Sequence, residues 1–203
     1  MIRLLGAAFT TAADGDQRDD AARAQVSSRL GIAPEWAVAT QVHEATVAVA
    51  TGPGSVGEAD GIVTTTPGLP LAVRTADCAG VVLHGEGAVG VAHAGWRGAA
   101  NGIASAVAEA MAAADAPAAG AVIGPHIGPC CFEVGPEVLE AFPDAQAITS
   151  WGTPSVDLAA AIEAELDPVP LRRTGGCTRC GAGWMSHRAD GTPARLAAIG
   201  WVL

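Results

Sequence analysis

The chain predicts a layered α/β fold in which short strands and helices alternate without strict order. Short apolar, β-branched runs bounded by glycine and proline recur along it, and segments with helical spacing lie among them. No internal repeat or low-complexity linker divides the 203 residues. They are therefore read as one domain, 1–203, long enough to bury a sizeable core.

Gln17 to Leu30 spaces Ala21, Ala24, Val26 and Leu30 as a helix would, and Gly31 is suited to end it. Trp36 to Val42 and Thr46 to Val49 read as strands on either side of His43. TGPGSVGEADG reads as a turn-rich surface loop. Ile62 to Thr65 and Leu69 to Thr75 are strand-like, punctuated by Pro67-Gly68. Ala79 to Leu83 and Val89 to Ala92, joined by HGEGA, predict a hairpin. Ala99 to Ala114 is the clearest helix, with Ile103, Val107 and Met111 at i, i+4 and i+8. Ala121 to Ile123 predicts a strand, PHIGPCC a constrained loop, Pro136 to Phe142 a short helix and Val156 to Leu166 a longer one. Trp184 to His187 and Leu196 to Val202 predict a closing strand pair around the ADG turn.

With 50% apolar and 16% charged residues the chain is globular rather than disordered. Its net charge of −10 argues against a nucleic-acid partner, although Arg97, Arg172 and Arg173 could line a local cationic site. No apolar run approaches the ~20 residues of a membrane span, so no membrane partner is expected. MIRLLGAAFTTAADGD lacks the apolar region of a signal peptide and suits a first strand. Five cysteines, an odd number, fit a reduced, cytoplasmic protein.

Chemistry concentrates in TADCAGVVLHGEGAVGVAHAGWRGAAN, where Cys78 and His93 close neighbouring strand-like runs. A thiolate and an imidazole so placed suit a transition metal, and His43 in QVHEATV offers a third ligand. Buried, unliganded side chains are the plainer reading of the same three residues. Three ligands without an evident fourth is the count of a catalytic zinc site. GWRG before a helix offers amide donors and the Arg97 guanidinium to an anion, or is simply a tight turn with Trp96 packed inward. In IGPHIGPCCFEVG, His126 is a ligand or acid–base group or a satisfied surface imidazole, and the adjacent Cys130 and Cys131 are expected to pack in the core rather than both coordinate one metal. CTRC, Cys177 and Cys180, lacks a second CxxC and a thioredoxin-like context, so neither a four-cysteine zinc site nor a redox pair is expected. A cytidine-deaminase type of site is excluded: His43-Glu44-Ala45 breaks its H-x-E, and Gly176 stands where its proline precedes the cysteine pair.

Taken in order, QVHEATV, EADGIVTTTPGLPLAVRTADC, VGVAHAGWRG, IGPHIGPCCFEVG and CTRC…SHRADG resemble one family over nearly the whole chain. It is the multicopper polyphenol oxidase or laccase-domain family, described also as purine nucleoside phosphorylases with adenosine deaminase activity and as peptidoglycan editing factors. The resemblance implies an αββα sandwich and a zinc held by His43, Cys78 and His93. It implies phosphorolysis of adenosine, inosine and methylthioadenosine, and deamination of adenosine. Nucleoside and phosphate are then the small-molecule partners. Arg97 is a candidate anion holder, and Gln41 either orients the substrate or pairs in its strand. Asp77, Glu44 and His126 are candidates for the general acid or base.

Two departures are visible: His126 stands where the family's loop often reads IGPCIGP, and the tail's Arg-Arg pair is Arg188-Ala189. Both leave the three ligands untouched. Five histidines cannot furnish a multicopper set, although copper suits the same three ligands. The alternatives are a hydrolase editing a cell-wall precursor, a copper-dependent polyphenol oxidase, or a closed structural zinc completed by Cys131 or His126.

Overall fold

The structure, a computed structural model, describes residues 1–202. Strands and helices are numbered in chain order. One six-stranded sheet runs β1 (Ile2–Leu4), β2 (Ala7–Phe9), β14 (Leu196–Gly200), β7 (Leu71–Thr75), β3 (Ala37–Thr40), β5 (Gly54–Glu58). The other runs β13 (Leu171–Arg173), β10 (Gly120–Ile123), β8 (Ala79–Gly85), β9 (Ala88–Ala94), β6 (Gly61–Thr64), β4 (Val47–Val49). Both are mixed: β3 pairs in parallel with β5 and β7, β4 with β6 and β13 with β10, and the remaining pairs in the two sheets are antiparallel. β11 (Gln146–Ile148) and β12 (Pro154–Val156) form a separate ribbon.

The sheets lie face to face because strands of both alternate their side chains between two apolar layers. Phe9, Leu71, Val73, Val82, Val89 and Val91 fill the space between the sheets. Contact there is close enough to require hydrogen in place of a side chain. A Cβ on Gly80 would stand 2.5 Å from that of Ala198, and one on Gly200 2.8 Å from Val82 and Val89. Outside, α1 (Asp20–Leu30) covers the first sheet with Val26 and Leu30 against Ala72, Ala197 and Ile199. Over the second sheet, α3 (Ile103–Ala113) and α5 (Leu158–Leu166) set Ile103, Val107, Met111 and Ile162 on Val81, Leu83 and Ala92. The layers are therefore αββα. No helix among the described residues is long and apolar enough to cross a membrane.

Several expectations hold closely. The HGEGA hairpin is β8–β9, and Gly31 ends α1 in the left-handed conformation with φ 71°. Others are corrected. The helix expected over Ala99 to Ala114 is two helices, α2 (Trp96–Ala100) and α3, because Gly102 between them is left-handed with φ 77°. The loop TGPGSVGEADG contains edge strand β5, whose partner β3 is bulged between Val38 and Thr40. Val156 ends a strand, and α5 starts only after Asp157, whose carboxylate accepts the Ala160 amide at 3.0 Å. The closing strand pair does not form. Ser186 accepts the Ala189 amide at 3.1 Å and Gly191 turns left-handed, making a short helix α6 (His187–Asp190), and β14 pairs with β2 and β7 instead. α4 (Pro136–Ala141) matches the short helix expected there.

Candidate metal centre and its flanking cavities

Strand register brings the three expected ligands to one end of the second sheet. Gly80 pairs with His93 and Ala79 with Ala94, so Cys78, one residue before β8, stands across from Gly95. Gly61 pairs with Ala92, so Asp60, one residue before β6, stands across from His93. The His93 amide donates to the Asp60 carbonyl at 2.7 Å. His43 arrives on the loop between β3 and β4 with φ 65°, a left-handed backbone that few non-glycine residues adopt.

What fixes that loop is the Asp60 side chain, which is fully buried. Its Oδ2 accepts the amides of Val42 at 3.0 Å and Glu44 at 2.9 Å, one on each side of His43. Its Oδ1 meets His93 Nδ1 at 2.7 Å. One carboxylate thus orients one imidazole and holds the backbone that carries the other, leaving His93 Nε2 free to act as a donor. Donor atoms of His43, Cys78 and His93 lie within 4.8 Å of one another, and the two rings meet edge to face at 4.8 Å. A Cβ on Gly95 would intrude, at 3.0 Å from His43 Cδ2 and 3.1 Å from Cys78 Sγ.

Electrostatics favour a cation among these donors. Burial resists ionisation of Cys78, but hydrogen bonds from His43 and His93 outweigh it and bring the thiol down to about 6. Burial likewise resists charging His93, but Asp60 and Cys78 raise it to about 9. Asp60, in spite of its burial, is held at about 2 by His93 and the Glu44 and Val42 amides. Two anions therefore surround a retained proton, and a divalent metal fits in that proton's place. Two imidazoles and a thiolate suit zinc or copper, and the set holds three protein donors.

Cavities open on both sides of this centre. One, of about 200 Å³, is walled by Trp96, Ile127, Phe132 and Leu158, with Arg97 and Arg188 at its edges. The other, of about 530 Å³, is lined by Arg18, Arg74, Arg195 and Gln41. His43, Ala76, Cys78 and His187 border both.

Of the remaining candidates, Arg97, Asp77 and Gln41 line these cavities, whereas Glu44 and His126 line neither. Arg97 stacks its guanidinium 4.3 Å above the Trp96 ring at the cavity wall. The helix behind it is only five residues long, too short to add much dipole. Gln41 pairs in place: its amide donates to the Arg74 carbonyl and accepts the Arg74 amide, both at 2.8 Å. Both oxygens of Asp77 are engaged at 2.6 Å, one by the Thr178 hydroxyl and one by the Arg188 amide. Glu44 uses its amide on Asp60 and leaves its side chain exposed. His126 Nδ1 meets the Gly124 carbonyl at 2.9 Å and lies outside the donor set, so it supplies no fourth ligand. Cys131 is drawn instead into a second group with Cys130, Cys177 and Cys180, which corrects the expectation that the CTRC pair lacks partners. Sequence reading missed Asp60, His187 and the arginine cluster. EADG immediately before an apolar strand was the available sign of Asp60.

An αββα sandwich with a histidine–histidine–cysteine centre at one sheet end defines the class. Residues 8–203 match the family model for multi-copper polyphenol oxidoreductase laccase, and the chain belongs to that family. It is 38% identical to a Streptomyces coelicolor protein named purine nucleoside phosphorylase, over 89% of this chain and 81% of that one. A Deinococcus radiodurans protein of the same name is 34% identical over 95% and 87%. The crystal structure of YlmD from Geobacillus stearothermophilus superposes with a TM-score of 0.79 at 31% identity, covering 91% of this chain and 82% of that one.

Proposed function

We propose that this protein is a zinc-dependent purine nucleoside phosphorylase that also deaminates adenosine. The observation that carries the reading is the position of the donor set between an apolar, aromatic-walled cavity and an arginine-lined one. Phosphorolysis needs that polarity. Phosphate attacks C1′ from one face of the ribose while the purine leaves from the other, so the C1′–O bond forms as C1′–N9 breaks and the base takes up a proton. The names of the curated relatives support the same reading.

Trp96, Phe132, Leu158 and Ile127 offer a purine flat apolar surfaces and exclude water around the glycosidic bond. Arg18, Arg74 and Arg195 offer the opposite side the charge and forked donors that a phosphate needs. The ribose then lies over the shared rim. On that rim, His187 Nδ1 meets the Thr192 carbonyl at 3.3 Å, leaving Nε2 to accept or deliver a proton. Asp77, with both oxygens engaged, holds the Arg188 segment against the cavity rather than moving protons. His43, Cys78 and His93 would hold the zinc, which when bound would supply the Lewis acidity that deamination at C6 requires.

Incubating the metal-loaded protein with inosine and adenosine, with and without phosphate, tests this. Free base released only with phosphate, and lost in Cys78→Ala, is expected. A fully loaded preparation that turns over neither nucleoside refutes it.

A further inference from the structure

We propose a second metal site, in which Cys130, Cys131, Cys177 and Cys180 bind one zinc ion as a tetrathiolate and pin together two loops beside the apolar cavity. Their sulfurs all lie within 4.8 Å of one another, and the site shares no residue with the histidine–cysteine centre. Cys130 Sγ is 3.7 Å from Cys131 Sγ and 3.8 Å from Cys180 Sγ. Thiolates bound at about 2.3 Å on the corners of a tetrahedron stand about 3.8 Å apart. A disulfide would bring two of them to about 2.05 Å, and all four cysteines are free. An iron–sulfur cluster spreads its cysteines over several irons, whereas these sulfurs crowd around one point.

The backbone is arranged for such an ion. Gly128 opens a tight turn, its carbonyl accepting the amides of Cys131 at 2.9 Å and Phe132 at 3.0 Å, and this curl sets neighbouring cysteines on one side. The second loop closes on itself through the Gly181 amide and the Cys177 carbonyl at 2.8 Å. Two glycines make room: a Cβ on Gly128 would stand 3.3 Å from Cys177 Cβ, and one on Gly181 2.6 Å from the Cys177 carbonyl. Four sulfurs spaced as the corners of a tetrahedron are the donor set of a closed structural zinc.

The ion would join residues fifty positions apart. The loops already touch where His126 bridges to Cys177 and the Thr178 amide donates to the His126 carbonyl at 2.9 Å. Thr178 continues to Asp77 and Asp77 to Arg188, so the ion sits behind the wall that presents Ile127, Phe132 and Arg188. Its role is structural: it sets the shape of the cavity and touches no substrate.

The test is elemental analysis of the whole protein, purified reduced and without chelator, beside Cys78→Ala and Cys180→Ser. About two zinc equivalents per chain are expected in the parent protein and about one in each variant, as for two separate closed and open sites. Cobalt substitution identifies which site remains. The strong thiolate-to-cobalt charge transfer of a four-sulfur site should persist in Cys78→Ala and vanish in Cys180→Ser. If Cys180→Ser does not fold, Cys78→Ala alone decides, because it retains all four cysteines. Zinc-free Cys78→Ala, a second equivalent that is iron, or a parent protein two hydrogen masses light from a Cys177–Cys180 disulfide would each overturn the proposal.

Discussion

Asp60 concentrates three tasks in one buried carboxylate: it holds His93, and it anchors the chain on both sides of His43. Asp60→Asn keeps the shape but sets an N–H donor either against the Val42 and Glu44 amides or against His93 Nδ1, where it favours the tautomer that carries its proton on the metal-facing Nε2. Zinc affinity of that variant should fall about 10–100-fold, read by chelator competition. Asp14, outside the donor set, does comparable work for stability. Burial opposes its charge, yet the Thr11 amide and hydroxyl and the Arg29 guanidinium hold it at about 2. Because the folded value lies below the unfolded ~3.9, its contribution is present above about pH 4 and is lost as pH falls toward 2. Asp14→Ala should therefore lose about 1–3 kcal/mol at neutral pH and show a flatter acid limb in denaturant titrations. That His43, Cys78 and His93 could share one cation was legible in the sequence because each lies in a recognisable motif, and the fold brings their donor atoms within 4.8 Å of one another. Asp60 was not, because its role depends on which strand lies beside β9, and a sequence does not display register.

Helix α3 lies on β6 and β9 through glycines. A Cβ on Gly61 would stand 2.6 Å from a Val107 methyl, and one on Gly90 would collide with the other methyl of the same valine. Gly90→Ala should cost about 1–3 kcal/mol through overpacking. Adding Val107→Ala should return part of that loss, a non-additivity that a double-mutant cycle in denaturant measures directly. The i, i+4, i+8 stripe of Ile103, Val107 and Met111 announced this helix and its buried face. Its start was misplaced because alanine, the best helix former, surrounds a two-residue break at Asn101 and Gly102, and propensity there outvotes the glycine. Edge strand β5 escaped for the opposite reason. It carries one half-buried valine among exposed residues, so its strand character comes from pairing with β3 and not from an apolar pattern.

Across the whole molecule a net charge of −10 coexists with three arginines lining one cavity. Under the proposed phosphorolysis, phosphate would approach a negative particle and settle in a positive recess, so its binding would be governed by local charge rather than by the total. Arg74→Gln should raise the KM for phosphate about tenfold, the scale of one lost charged hydrogen bond of about 1.5 kcal/mol, while the KM for inosine changes little. The αββα layering was expected only through resemblance, since short strands in mixed order do not disclose which sheet they join. Chain order carries a further consequence. The candidate metal donors and their clamp lie between His43 and His93, whereas Ile127, Phe132 and Leu158, most of the apolar wall of the neighbouring cavity, come from later in the chain. Donor set and apolar wall are therefore inherited through separate stretches of sequence. Substitutions in the later stretch can reshape that cavity one at a time without altering a donor.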